Sequence, residues 1–214
     1  MTIRQLVLVA IVFALNACNT AYYGTMEKLG VHKRDIMVDR VRAARDTQNA
    51  AKNQFLTAME QFKSVVQFQG GELEKQYDQL NAALRKSESE AEAVRKRIDA
   101  VENVSEALFD EWRAEIRQYT SEALRKSSRR KYDLTKAKYE KLIAAMRRAE
   151  SKLEPALTPL RDQVLYMKHN LNARAISGLS AELITVQGNV DILVRDMEAA
   201  IAQADQFIAA LQAE

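Results

Sequence analysis

From Met37 onward, apolar residues return in alternating steps of four and three: Met37, Val41, Ala44, then Gln48, Ala51, Phe55, Ala58, Phe62 and Val65. Side chains three and four apart stack on one side of a helix, so this repeat predicts a helix with one narrow apolar stripe. Gln48 is the polar member of that stripe. Gly70-Gly71 closes the segment, since glycine readily takes the left-handed conformation that caps a helix C-terminus. A second stripe runs from Leu73 through Tyr77, Leu80 and Leu84 to Leu108 and Trp112, and a third from Tyr132 through Tyr139 and Met146 to Leu153. The last begins at Leu160, passes Val164, Met167 and Leu171, and resumes from Leu179 to Leu211. The lengthened step through Ala175 reads as a stutter.

The stripes leave the number of helices open, because neither Gly nor Pro falls between residues 72 and 154. One helix over that span would be roughly 120 Å long and unmatched by its neighbours. Asn103-Val-Ser-Glu106 has the form of a helix N-terminus, with Asn103 as cap and Glu106 reaching back. A turn there predicts helices near 31–69, 72–102, 104–153 and 159–212, which pair by length as two antiparallel hairpins. The segment Arg125–Lys131, where the stripe loses its phase, is the other candidate break. Pro155 and Pro159 mark the next boundary, with Thr158 as N-cap and Pro159 at the first helical position. The expected fold class is all-α: an elongated antiparallel four-helix bundle built of coiled-coil-like hairpins.

Composition agrees. The 214 residues include only six Gly and two Pro, and good helix formers dominate the rest. A net charge of +3 does not argue for nucleic acid, and no nucleic-acid partner is expected. The charge is nonetheless uneven: Arg125–Arg148 is mostly basic, whereas Glu88–Glu122 and the stretch from Glu182 onward are mostly acidic. The basic stretch could meet anionic headgroups, cell-wall carboxylates or an acidic partner. Pairing with acidic neighbouring helices is the preferred reading, because flanking charges select partner and orientation in such bundles.

The N-terminus changes the picture from fold to location. One positive charge, Arg4, precedes an uninterrupted apolar run from Leu6 to Leu15, the length of a secretory leader and too short to span a bilayer comfortably. The following "LNAC", Leu15 to Cys18, resembles a bacterial lipobox, with Leu15 three places and Ala17 one place before the cysteine; Asn16 departs from the usual Ala, Ser or Thr. The resemblance implies diacylglyceryl transfer to the Cys18 thiol, cleavage before it and acylation of the new amino terminus. It divides the chain into a leader at 1–17, a lipid-anchored tether at 18–30 and a helical bundle at 31–214. Asn19, rather than aspartate, after the cysteine implies the outer membrane, periplasmic side, rather than the inner membrane.

Candidate chemistry is sparse. Neither histidine, His32 or His169, has carboxylates or thiols at metal-ligand spacing, and no phosphate loop or nucleophile elbow is present. No catalytic residue, cofactor or metal is therefore assigned. The stretch Arg161–Arg174 is denser in polar groups than an apolar stripe requires. Arg161, His169, Asn170, Asn172 and Arg174 could form a buried polar layer that fixes register, or line a groove for a ligand or a partner helix.

Three strings, "FQGGELEKQY" at 68–77, "ALFDEW" at 107–112 and "RDQVLYMKHNLNARAI" at 161–176, following the lipobox, resemble an uncharacterised bacterial lipoprotein family, domain-of-unknown-function family 2959. That resemblance implies an exported, anchored, helical protein and carries no activity. The expectation is a non-enzymatic envelope lipoprotein, a helical spacer or scaffold. Its partners would be the membrane through lipid on Cys18, another envelope protein or the cell wall, and a second copy could complete its long stripes. The alternative is a helical binding module, or an enzyme, with a polar site near Arg161–Arg174.

Overall fold

A computed structural model describes residues 32–68, 70, 72–170 and 173–213, with the backbone alone for 173–177. The described residues form five helices: α1 (Lys33–Val66), α2 (Leu73–Ile116), α3 (Glu122–Glu150), α4 (Leu153–His169) and α5 (Ala173–Gln212). No strand occurs among them. The chain is all-α, as the stripes predict.

Burial follows the stripes closely. Met37, Val41, Ala44, Ala51, Phe55, Ala58, Phe62 and Val65 of α1 are fully buried, and Gln48 is buried with them. On α2 the stripe from Leu80 to Leu108 is buried, on α3 and α4 that from Tyr132 to Met167, and on α5 that from Leu179 to Leu211. Each large aliphatic side chain so removed from water contributes about 1.5–3 kcal/mol, which is why the stripes rather than local propensities decide the fold.

α1 packs on α2 and on α5, and α2 and α5 both pack on α3 and α4. α3 and α4 thus share one corner of a four-cornered bundle. All neighbours are antiparallel: Lys33 meets Glu111 while Ser64 meets Gln76 across α1 and α2, and Arg45 meets Asp205 while Lys52 meets Glu198 across α1 and α5. One end of the bundle therefore carries the start of α1, the α2–α3 turn and the end of α5. We refer to it as the entry end. The α1–α2 and α4–α5 connections lie at the far end, about 60 Å away along the 40-residue α5.

Four boundaries differ from expectation. The chain does not turn at Asn103, because Val101, Val104, Ser105 and Leu108 continue the buried stripe of α2 past it. Nor does it break within Arg125–Lys131. The turn falls at 117–121, and α3 starts from Ser121, whose Oγ accepts a hydrogen bond from Leu124 N at 3.4 Å. The expected boundary at Thr158–Pro159 lies instead at Ser151–Lys152, and Pro155 and Pro159 are both inside α4. Pro155 sits in the first turn, where its missing N–H would have no partner. Pro159 withdraws the N–H that the Pro155 carbonyl would accept, and Asn189 Nδ2 of α5 donates to that oxygen at 3.1 Å instead. The helix expected over 159–212 is interrupted: α4 ends at His169 and α5 begins at Ala173, just before the expected stutter at Ala175, which lies inside α5. Gly70, at φ +139°, lies in the connection after α1 where the sequence places a glycine stop.

Candidate functional site

Among the described polar residues of 161–174, Arg161, His169 and Asn170 do not come together in a buried layer. His169 is exposed at the C-terminus of α4. Asn170 follows it as the cap and donates from Nδ2 to the Tyr166 carbonyl at 2.9 Å, which completes the helix end rather than an interhelical network. Arg161 is half-buried at the α2–α4 seam. Asn172 and the Arg174 side chain lie outside the described residues, as does Cys18.

Arg161 is one rung of a ladder. Its Nε donates to Glu88 Oε1 at 2.9 Å and its Nη1 to Glu154 Oε1 at 3.0 Å. One heptad away, Glu154 faces Arg95 at 3.4 Å, and one heptad further Arg147 binds Glu102, Asp99 at 2.7 Å and Glu150 at 2.7 Å. Along α2 the order is acid, base, acid (Glu88, Arg95, Glu102), and along α4 and α3 it is base, acid, base (Arg161, Glu154, Arg147). The register is unchanged across the break at Ser151–Lys152. Beside the ladder, Tyr77, Asn81, Arg85 and Lys168 join Arg161 and Glu88 around a surface cavity of about 320 Å³.

The entry end is built differently. Phe109 and Trp112 of α2 meet Tyr132 edge-on, with ring centroids at 5.6 and 5.7 Å, and Phe109 also packs on Tyr139 at 5.4 Å. Trp112 Nε1 donates to Ser128 Oγ at 2.9 Å, which ties α2 to the start of α3. Trp112 thus serves as a packing group. Thr135 Oγ1 is buried without a partner and lines a cavity of about 400 Å³ together with Trp112, Tyr119, Leu124, Lys131 and Leu211. From Ser121 to Ser127 every residue of α3 and its cap is exposed, including Leu124 at 58%. The guanidinium of Arg129 lies 5.7 Å over Tyr132.

The preferred reading of the basic stretch holds for one residue and fails for most. Arg147 pairs with α2, whereas Lys126–Glu122, Arg129–Asp133 and Lys136–Glu140 stay within α3. Arg125, Arg130 and Lys131 are exposed and make no ion pair with any described residue.

The family model described as "Protein of unknown function (DUF2959)" matches residues 22–211. The chain belongs to this family. No curated protein matches it. The match opens four residues after Cys18 and ends at Leu211 in the last turn of α5, so this DUF2959 protein is the family's unit over the whole bundle.

In this DUF2959 protein the ladder groups Arg147, Glu154 and Arg161 all have shifted pKa values, as do Arg45, Arg113 and Tyr139 elsewhere. The Arg147 guanidinium is held well above its ordinary pKa, chiefly by hydrogen bonding to Glu102. Glu154 is held below the usual carboxylate range, first by the hydrogen bond from Arg161. Tyr139 is raised, principally by burial. Among the described residues no group of three or more His, Cys, Asp or Glu converges as a metal site, and no helix is long and apolar enough to cross a membrane.

Proposed function

We propose that this DUF2959 protein is a non-enzymatic, lipid-anchored envelope protein, a helical spacer that presents its sides to a periplasmic partner or the cell wall. In this reading residues 1–17 are a lipoprotein signal peptide, Cys18 carries the lipid, and the outer membrane holds the anchor. The observation that carries it is the placement of α1: it begins at Lys33, fifteen residues after Cys18, at one pole of a rod about 60 Å long. A tether of that length reaches at most about 50 Å. It would hold the entry end near the membrane and leave the sides and far end free.

In-cell crosslinking with mass spectrometry, on the wild type and Cys18→Ser, tests this reading. Contacts from one helical face to another envelope protein or to the cell wall, lost without the anchor, are expected. Full function from a freely soluble Cys18→Ser chain would contradict it. The cavity beside Arg161 supports a second reading as a binding module. Self-contacts alone in the crosslinking would favour it, although Arg161 is already engaged by Glu88 and Glu154.

A further inference from the structure

Four exposed cations at the entry end share one surface cavity. Arg125, Lys126, Arg129 and Arg130 surround Ile116 at a surface cavity of about 540 Å³ on the first turns of α3. Only two of these four have an acid beside them: Glu122 lies 2.7 Å from Lys126, and Asp133 lies 3.6 Å from Arg129. Arg125 and Arg130 point no charge at any described carboxylate, so the patch keeps a net positive field. It sits within about 15 Å of the bundle's end, counted along the helix. Beside it at the same end, Leu124 (58% exposed) and Tyr119 (38% exposed) line the neighbouring cavity with Trp112, so the end presents apolar and aromatic groups next to the basic ones, a mixture that suits a headgroup layer.

Four cations held together with only two carboxylates beside them repel one another, and a row of anionic groups relieves that repulsion. We propose that this basic face is a docking surface for anionic phospholipid headgroups, seating the entry end of the bundle on the membrane that holds its anchor. The inference rests on the anchored reading for its geometry: the start of α1 and this face share one end, within reach of a lipid on Cys18. A flat anionic surface fits four cations spread around a shallow apolar floor. The seated bundle would stand on its end, with the ladder and the far end directed away from the bilayer.

Trp112 is the sole tryptophan of the chain and packs on Tyr132, the ring that Arg129 covers, so it reports on this face directly. The full chain, purified from membranes, is reconstituted into vesicles of phosphatidylcholine alone or with phosphatidylglycerol, each containing lipid spin-labelled at the headgroup. Quenching of Trp112 should be strong in the phosphatidylglycerol vesicles, weak in the neutral ones, and released when salt rises from about 0.05 to 0.5 M. Each cation near an anionic surface is worth roughly fivefold in partition, so Arg125→Glu/Arg129→Glu/Arg130→Glu should lower the docked-to-undocked ratio on the order of 100-fold or more. Equal quenching in both vesicles, or quenching indifferent to both salt and the triple substitution, would overturn the proposal. Crosslinks from this face to an acidic protein, without composition-dependent quenching, would overturn it in favour of a protein partner. If the triple variant does not fold, the salt arm on the wild type decides. Failure of the anchored reading shows separately, as an unmodified Cys18 in the mass spectrum of the same preparation.

Discussion

Arg95 Nη2 lies 3.4 Å from Glu154 Oε2, and this pair reverses the polarity of the pairs one heptad to either side, Glu88–Arg161 and Glu102–Arg147. A one-heptad slip of α3 and α4 along α2 would set Arg147 against Arg95 and Glu154 against Glu88 in one direction, and Arg161 against Arg95 and Glu154 against Glu102 in the other. The alternation therefore penalises the nearest wrong registers, even though each pair, being half-exposed, contributes only about 0.2–1 kcal/mol.

Charge reversal at the middle rung should expose this role. Glu154→Arg is expected to lower stability by about 1 kcal/mol, and adding Arg95→Glu should recover much of the loss. A double-mutant cycle in urea measures the coupling. Additive effects would mean that the pair sets no register.

The same rung gives stability a pH dependence. Glu154 has a lowered folded-state pKa, with Arg161 as the first cause. Its contribution is therefore present in full above the ordinary glutamate pKa of about 4.3 and is lost as pH falls through the lower folded value. Glu154→Gln should flatten the acid limb of a stability-versus-pH curve and leave its shape near neutrality unchanged. An unaltered acid limb would show that Glu154 does not contribute to the pH dependence of stability.

Gln48 is fully buried, and neither its Nε2 nor its Oε1 has a hydrogen-bond partner. An unpaired buried amide costs about 1–3 kcal/mol. Gln48→Met, of similar shape, should therefore stabilise the bundle by about that amount, seen as a higher urea midpoint with an unchanged m-value. A loss of stability would show that the amide is satisfied, by an enclosed water for instance. Gln54, six residues further on, contrasts with it, because its Nε2 donates to the Ala83 carbonyl at 3.1 Å.

Asn189 substitutes for the N–H that Pro159 lacks. Asn189→Ala should cost about 1 kcal/mol in the native background and much less in a Pro159→Ala background, where the alanine N–H can reach the Pro155 carbonyl. Thermal melts of the four proteins test the coupling. Equal costs in both backgrounds would contradict it.

These relationships also explain what was legible in the sequence. The apolar stripes were, because burial at steps of three and four is a direct consequence of helix geometry, and nearly every stripe residue is in the core. The turn at 117–121 was not: it contains no Gly or Pro, and its one signal is Ser121 as an ordinary cap. The prolines misled because their usual reading as boundaries depends on an unanswered carbonyl, which Asn189 answers from thirty-four residues away. Arg161 stands out in the sequence only as part of a polar stretch, and its partners Glu88 and Glu154 could be found only once the antiparallel register was known. His169 and Asn170 looked like core polar groups because the helix was expected to continue through them, and it ends there.

The basic face at Arg125–Arg130 was visible as a charge run, yet its separation from the acidic helices was not. Its outward orientation follows from the late turn, which leaves the first turns of α3 beyond the packed part of the bundle. Sequence alone favoured internal pairing for it, and the three-dimensional arrangement reserves that role for Arg147.

Cys18 as the attachment point is the centre of the proposed function. Intact-mass and N-terminal peptide analysis of the protein extracted from membranes measures this directly. The predicted result is a chain that begins at Cys18, with a diacylglyceryl group on its sulfur and an acyl group on its amino terminus. A chain that retains residues 1–17, with an unmodified Cys18 thiol, would contradict it.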